Sequence, residues 1–179
     1  SKVCQLFSGS SGNSILISSK GHNFLVDIGV SAKRCETALL QRGVDPESID
    51  GILITHEHND HTAGLRVFAS RHNTPVFAAD SCIDAMDNKN IINDKVHIEK
   101  IDYRMELGGV EIKAFKQSHD SQDCVGYRLE LPNGRSAAVC TDTGYVTDNA
   151  KEICSGVDLI FVESNHETSM VETGPYPYY

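Results

Sequence analysis

The chain has 179 residues, 40% of them hydrophobic and 23% charged, with no tryptophan. That length can bury a sizeable core and favours one domain over residues 1–179. A formal charge of −9 does not advertise a nucleic-acid binder, and six scattered cysteines without a C-x-x-C pair argue against a zinc knuckle or a disulfide framework.

The chain opens on Ser1-Lys2-Val3-Cys4-Gln5-Leu6, which lacks the apolar core of a signal peptide, and no run of ~18 apolar residues follows anywhere; a cytoplasmic location is the expectation. Residues 3–7, 14–18 and 23–27 read as strands. Between the first two lies Ser8-Gly9-Ser10-Ser11-Gly12-Asn13, where two glycines among small hydroxyl residues let backbone amides approach a ligand. Alone, this loop is equally a plain tight connection. Asp27 stands at a strand end, two residues before Gly29. Ser31 can cap a helix running to about Arg42, with Cys35, Ala38 and Leu39 on one face and Gly43 as its stop.

An apolar run from Ile52 then ends at Thr55, and it reads as a buried strand. His56, Glu57, His58, Asp60 and His61 follow: five of the next six residues can bind or polarise a metal. His56 and His58 are two apart, so in extended chain they point the same way and can grip one ion. Asp60 and His61 come after the chain has turned and would face a second ion. A histidine-rich surface loop is the bland alternative, but H-x-H-x-D-H straight after an apolar strand rarely arises from composition alone.

Beyond the motif, a helix carries Leu65, Phe68 and Ala69 and ends near residues 72–75. Residues 76–79 form a strand, 81–87 a short helix and 96–98 a further strand. His22, in a turn, and His72 and His97 have no partner motif and read as structural or exposed. Gly108-Gly109 turns the chain into a strand at 110–116, followed by His119 and Asp120. Strands at 125–131 and 136–141 flank a hairpin turn at Pro132-Asn133-Gly134. The second delivers Asp142 in Thr141-Asp142-Thr143-Gly144, which in isolation is a simple turn. A helix at 147–154 and an apolar strand at 158–163 complete the pattern.

Together these residues resemble the metallo-β-lactamase-fold hydrolases. The resemblance implies an α/β (α+β) architecture, an αββα sandwich with the metal site along one edge of two sheets. Residue by residue, it implies that His56, His58 and His119 bind a first metal, that Asp60 and His61 bind a second, and that Asp142 bridges them. Asp27 would support the loop from behind. Ser11 and Asn13, with Asn165 and His166 near the end, are candidates for the second shell or the substrate side. Asp60 is also the candidate catalytic proton acceptor. Histidine and aspartate donors suit Zn²⁺, Mn²⁺ or Fe²⁺.

The loop at residues 8–14 and the end, Glu163-Ser164-Asn165-His166-Glu167 with Gly174-Pro175-Tyr176-Pro177-Tyr178-Tyr179, narrow the resemblance to the YycJ/WalJ-like bacterial branch. That implies a binuclear phosphodiesterase or nuclease, an exonuclease acting on DNA. The other reading is a small-molecule hydrolase acting on a thioester, lactone or cyclic phosphodiester. A closing ligand histidine, expected in a Gly-His loop further on, has no candidate after His166. The chain is therefore expected to be a fragment, incomplete at its C-terminus, with a weakened second site.

Overall fold

The computed structural model describes residues 1–118 and 123–162. Three antiparallel strands come first: β1 (Lys2–Phe7), β2 (Ser14–Ser19) and β3 (His22–Val26). Helix α1 (Ala32–Leu40) then crosses back to β4 (Ile49–Leu53), which lies parallel to β3. The short α2 (Asn59–Thr62) and α3 (Leu65–His72) lead to β5 (Val76–Ala78), and α4 (Asp80–Asn88) leads to β6 (Ile98–Lys100). These six strands form one sheet in sequence order. The second sheet runs β11-β10-β9-β8-β7, built from β7 (Arg104–Leu107), β8 (Val110–Lys116), β9 (Val125–Glu130), β10 (Ser136–Cys140) and β11 (Leu159–Val162), with α5 (Asp148–Cys154) between the last two.

Side-chain alternation explains the layers. In β2, Ile15 and Ile17 face one way and Leu16 the other; in β3, Phe24 and Val26 oppose Leu25. The first set meets Val110, Ile112, Tyr127, Leu129 and Val139 of the second sheet. The opposite set packs under α1, α3 and α4 through Cys35, Leu39, Leu65, Phe68 and Met86. Both faces of the sheet's centre are therefore covered, so β5 and the apolar stretches of β2, β3 and β4 run without alternation. On the far side, Ala150 and Ile153 of α5 cover Phe115 and Cys140. The order helix, sheet, sheet, helix is the αββα sandwich.

Several element boundaries differ from the sequence expectation. Helix α1 ends at Leu40, and Ser31 occupies its N-cap position without a side-chain hydrogen bond. His22 opens β3 instead of lying in a turn, and β6 starts at Ile98, just after His97. Strand β7 is an addition. Its four residues alternate between exposed Arg104 and Glu106 and half-buried Met105 and Leu107, too short and too charged a pattern to stand out.

Candidate metal centre

The histidine loop leaves the first sheet at the carboxyl end of β4. Ile54, Thr55 and His56 are fully buried, and His58 then takes the N-cap position of α2, which carries Asp60 and His61. Two backbone contacts shape this path. Gly29 lies so close that a Cβ there would sit 1.6 Å from the Asp60 carbonyl oxygen, and one at Gly64 would sit 2.2 Å from that of Val30. Only glycine allows such an approach.

Asp27 anchors the loop from behind. Its backbone is left-handed (φ 61°), uncommon for a residue with a side chain but among the better tolerated for Asp. Its N–H donates to the Leu53 carbonyl, and Ile28 N–H to that of His61, both at 2.9 Å. One carboxylate oxygen accepts Thr55 N–H at 2.8 Å. The other accepts the Thr55 hydroxyl at 2.8 Å and lies 2.8 Å from His61 Nδ1.

That last contact fixes the chemistry of His61. With Nδ1–H donating to Asp27, the lone pair sits on Nε2. Nε2 lies 2.8 Å from an Asp142 carboxylate oxygen and 3.4 Å from one of Asp60. A lone pair facing two carboxylates needs a positive charge between them. Burial, the largest single influence, pulls the His61 pKa down, but the carboxylates of Asp27 and Asp142 outweigh it and raise it to about 10. A proton or a divalent cation meets the same electrostatic demand, so the donor set fits a metal. Ligand atoms of His56, His61 and Asp142 all lie within 4.8 Å of one another.

The remaining candidates fall around this trio. His56 Nε2 and His58 Nδ1 are 3.0 Å apart, with their rings edge to face. Asp60 and Asp142, with side chains 31% and 18% exposed, form the open side of the site, whereas His61 is sealed. Asn13 reaches in from the glycine loop: its amide nitrogen lies 3.3 Å from an Asp60 oxygen and 3.2 Å from His61 Nε2. Ser11 is exposed, and the loop's contact is made by Asn13. His119, Asn165 and His166 lie outside the described residues.

Three supporting residues escape sequence reading. The Thr55 hydroxyl sits 3.1 Å from His56 Nδ1 and 3.3 Å from His61 Nδ1, at the hub of both rings. The Tyr127 hydroxyl, wholly buried, donates to the Ile54 carbonyl at 2.5 Å and ties the second sheet to the root of the loop. Gln117 donates to the Thr141 carbonyl at 2.7 Å, holding the backbone just before Asp142. A threonine directly before the first histidine was the one available signal. The other two contacts bridge distant parts of the chain.

Two sheets faced by helices, with histidines and aspartates gathered at a strand's carboxyl end, define the metallo-β-lactamase class of fold. Residues 22–175 match the Beta-lactamase superfamily domain, and the chain belongs to that superfamily. It is 36% identical to Exodeoxyribonuclease YycJ of Bacillus anthracis over 97% of its own length and 66% of the relative's. It is 34% identical to Exodeoxyribonuclease WalJ of Streptococcus pneumoniae over 98% of its length, again spanning 66% of that protein. Among solved structures, the metallo-β-lactamase fold protein YhfI from Bacillus subtilis superposes with a TM-score of 0.71 at 21% identity, covering 88% of this chain and 68% of that one.

Proposed function

We propose that this chain carries the binuclear metal centre of a phosphodiesterase that degrades DNA as an exonuclease. The observation that carries the reading is the meeting of His61, Asp60 and Asp142 across 2.8 and 3.4 Å, in a chain aligned along 97% of its length with an exodeoxyribonuclease. In this reading His56, His58 and His119 would hold one ion, Asp60 and His61 a second, and Asp142 would serve both. When bound, two divalent ions supply a nucleophile at neutral pH and positive charge for the attacking and leaving oxygens of a phosphodiester.

The chain's own residues prepare that chemistry. Asp27 holds His61 in the tautomer whose Nε2 faces the open side. Asp60, partly exposed and tethered by Asn13, can accept the proton released as the nucleophile forms. Asn13, whose amide contacts Asp60 and His61, is the loop's candidate for the substrate side. The test is an assay on end-labelled DNA and on a generic phosphodiester, with Zn²⁺, Mn²⁺ and Fe²⁺ supplied one at a time. Progressive shortening from an end, lost in an Asp142→Ala variant, is expected. Turnover of a lactone or thioester with no cleavage of DNA under any metal would overturn the proposal.

A further inference from the structure

Away from the candidate metal centre, a groove of about 420 Å³ runs between β1 and α1. Phe7, Lys33, Arg34, Thr37, Gln41 and Arg42 line it, and among the described residues no carboxylate does. In a chain of net charge −9 this is a local reversal of sign. The one acid of α1, Glu36, is engaged elsewhere, with Arg71 at 2.6 Å and His72 at 3.0 Å.

The three cations are held differently. Arg42 is pinned, its guanidinium donating to Cys4 Sγ at 3.0 Å and to the Ala38 carbonyl at 3.1 Å. The Arg34 guanidinium carbon lies 5.1 Å from the centroid of the Phe7 ring, and both an aromatic ring and a guanidinium offer a plane on which a base can stack. Lys33 is exposed. Lys33 and Arg34 both stand in the first turn of α1, which has no acidic residue and no side-chain cap. Cations at the positive end of a helix dipole repel it, and uncapped N–H groups there await an acceptor; an anion answers both.

The groove also leads somewhere. Its Phe7 end passes directly into the glycine loop that ends in Asn13, and its Ser31 end follows the turn containing Gly29. Gly29 N–H donates to the Asn13 carbonyl, and Asn13 N–H to that of Asp60, both at 2.8 Å. The segments that border the groove are thus tied, along the chain and by backbone hydrogen bonds, to the metal loop. We propose that it is the track for the single-stranded sugar–phosphate backbone of the substrate, with Lys33, Arg34 and Arg42 neutralising phosphates and the Phe7–Arg34 stack receiving a base. The inference rests on the nucleic-acid reading above, and it adds the path by which the strand reaches the metals.

Binding is measured apart from cleavage, by fluorescence anisotropy of a labelled oligothymidylate in chelator across a range of salt. Each phosphate contact to a single strand contributes about 0.7 to the slope of log K against log salt. A Lys33→Gln/Arg34→Gln variant should therefore lose about 1.4 from the slope and bind about 25-fold more weakly at ~0.1 M salt. The charge-preserving Lys33→Arg/Arg34→Lys variant should restore the slope. Lys151→Gln, on α5, serves as a charge loss elsewhere and should leave it alone. Equal slopes in the wild type and the Gln/Gln variant would overturn the groove, whether or not the protein cuts DNA. A strand held with the expected slopes, yet left uncut under every metal, would retire the nuclease reading and keep the groove.

Discussion

Replacing Asp27 with asparagine separates the folding role of this carboxylate from its electronic one. Asparagine fills the same space and tolerates the left-handed backbone (φ 61°) that Asp27 adopts. Three hydrogen bonds converge on the native carboxylate, from Thr55 N–H, the Thr55 hydroxyl and His61 Nδ1, each at 2.8 Å. An amide has one oxygen, and the Thr55 N–H must keep it. The NH₂ group then faces the hydroxyl, which can turn and accept, and His61 Nδ1, which can accept only by changing tautomer. The proton moves to Nε2, the nitrogen that faces Asp142.

The variant should therefore fold but bind metal poorly. Three charge-assisted bonds become neutral, each weakened by about 1 kcal/mol, for a loss of about 3 kcal/mol in all. Disturbing a group that orients a metal-binding imidazole costs about 10–100-fold in metal affinity. Urea unfolding in chelator reads the first quantity and metal titration the second; ¹⁵N NMR of the ring nitrogens, recorded where the ring is neutral, reports the tautomer directly. Asp27→Ala is the contrasting case. It strands the buried Thr55 N–H, puts alanine in a left-handed conformation, and should unfold most of the chain. A folded Asp27→Asn protein with wild-type metal affinity and its proton still on Nδ1 would refute the reasoning.

Other consequences follow from the same geometry. Gly29→Ala places a methyl group 1.6 Å from the Asp60 carbonyl oxygen, so the loop must move: metal content should fall, with about 1–3 kcal/mol of stability lost, and elemental analysis beside urea unfolding checks both. Tyr127→Phe removes the hydroxyl bonded to the Ile54 carbonyl and should cost about 1–2 kcal/mol, read as a lower urea midpoint with an unchanged slope. His61 carries a pKa raised from 6.5 to about 10 by Asp27 and Asp142 against burial, so its contribution is fully present below pH ~6.5 and lost as pH rises through about 10. The metal-free protein should accordingly show urea midpoints that decline across that window, and a flat or rising profile would contradict the charge arrangement described for the site.

The fold was legible because both sheet faces are buried. Ile52 to Ile54 could be read as strand without alternation, and the resemblance then supplied the two-sheet arrangement that periodicity alone does not. What stayed hidden were contacts whose sequence separation carries no local trace. Gly29 looks like an ordinary turn glycine until Asp60, 31 positions on, is pressed against it. Asp27 by itself reads as a turn former; its support of the histidine loop was expected from the resemblance alone, and nothing local says that its carboxylate will face His61. Strand β7 was lost because four half-exposed residues at a sheet edge need no apolar pattern. The Ser31 cap expectation failed on a local detail: the residue occupies the right position, but its hydroxyl makes no bond to the helix.

The site is a product of both sheets, and this has a physical consequence for metal binding. His56, His58, Asp60 and His61 belong to a loop at the end of the first sheet, whereas Asp142 follows β10 of the second and adopts a left-handed backbone of its own (φ 53°). Gln117, after β8, fixes the Thr141 carbonyl, and Gly144 N–H donates to the Ser118 carbonyl at 2.6 Å, so the Asp142 turn is braced within its own sheet. The two halves are joined at their roots by Val125 N–H on the Thr55 carbonyl (3.0 Å) and by Tyr127 on the Ile54 carbonyl. A ligand that bonds to both halves binds only the packed sandwich, and so must stabilise the packing of one sheet on the other by its full binding free energy. Substitutions in the inter-sheet core, though remote from the candidate site, should therefore weaken metal affinity wherever they let the second sheet shift against the first.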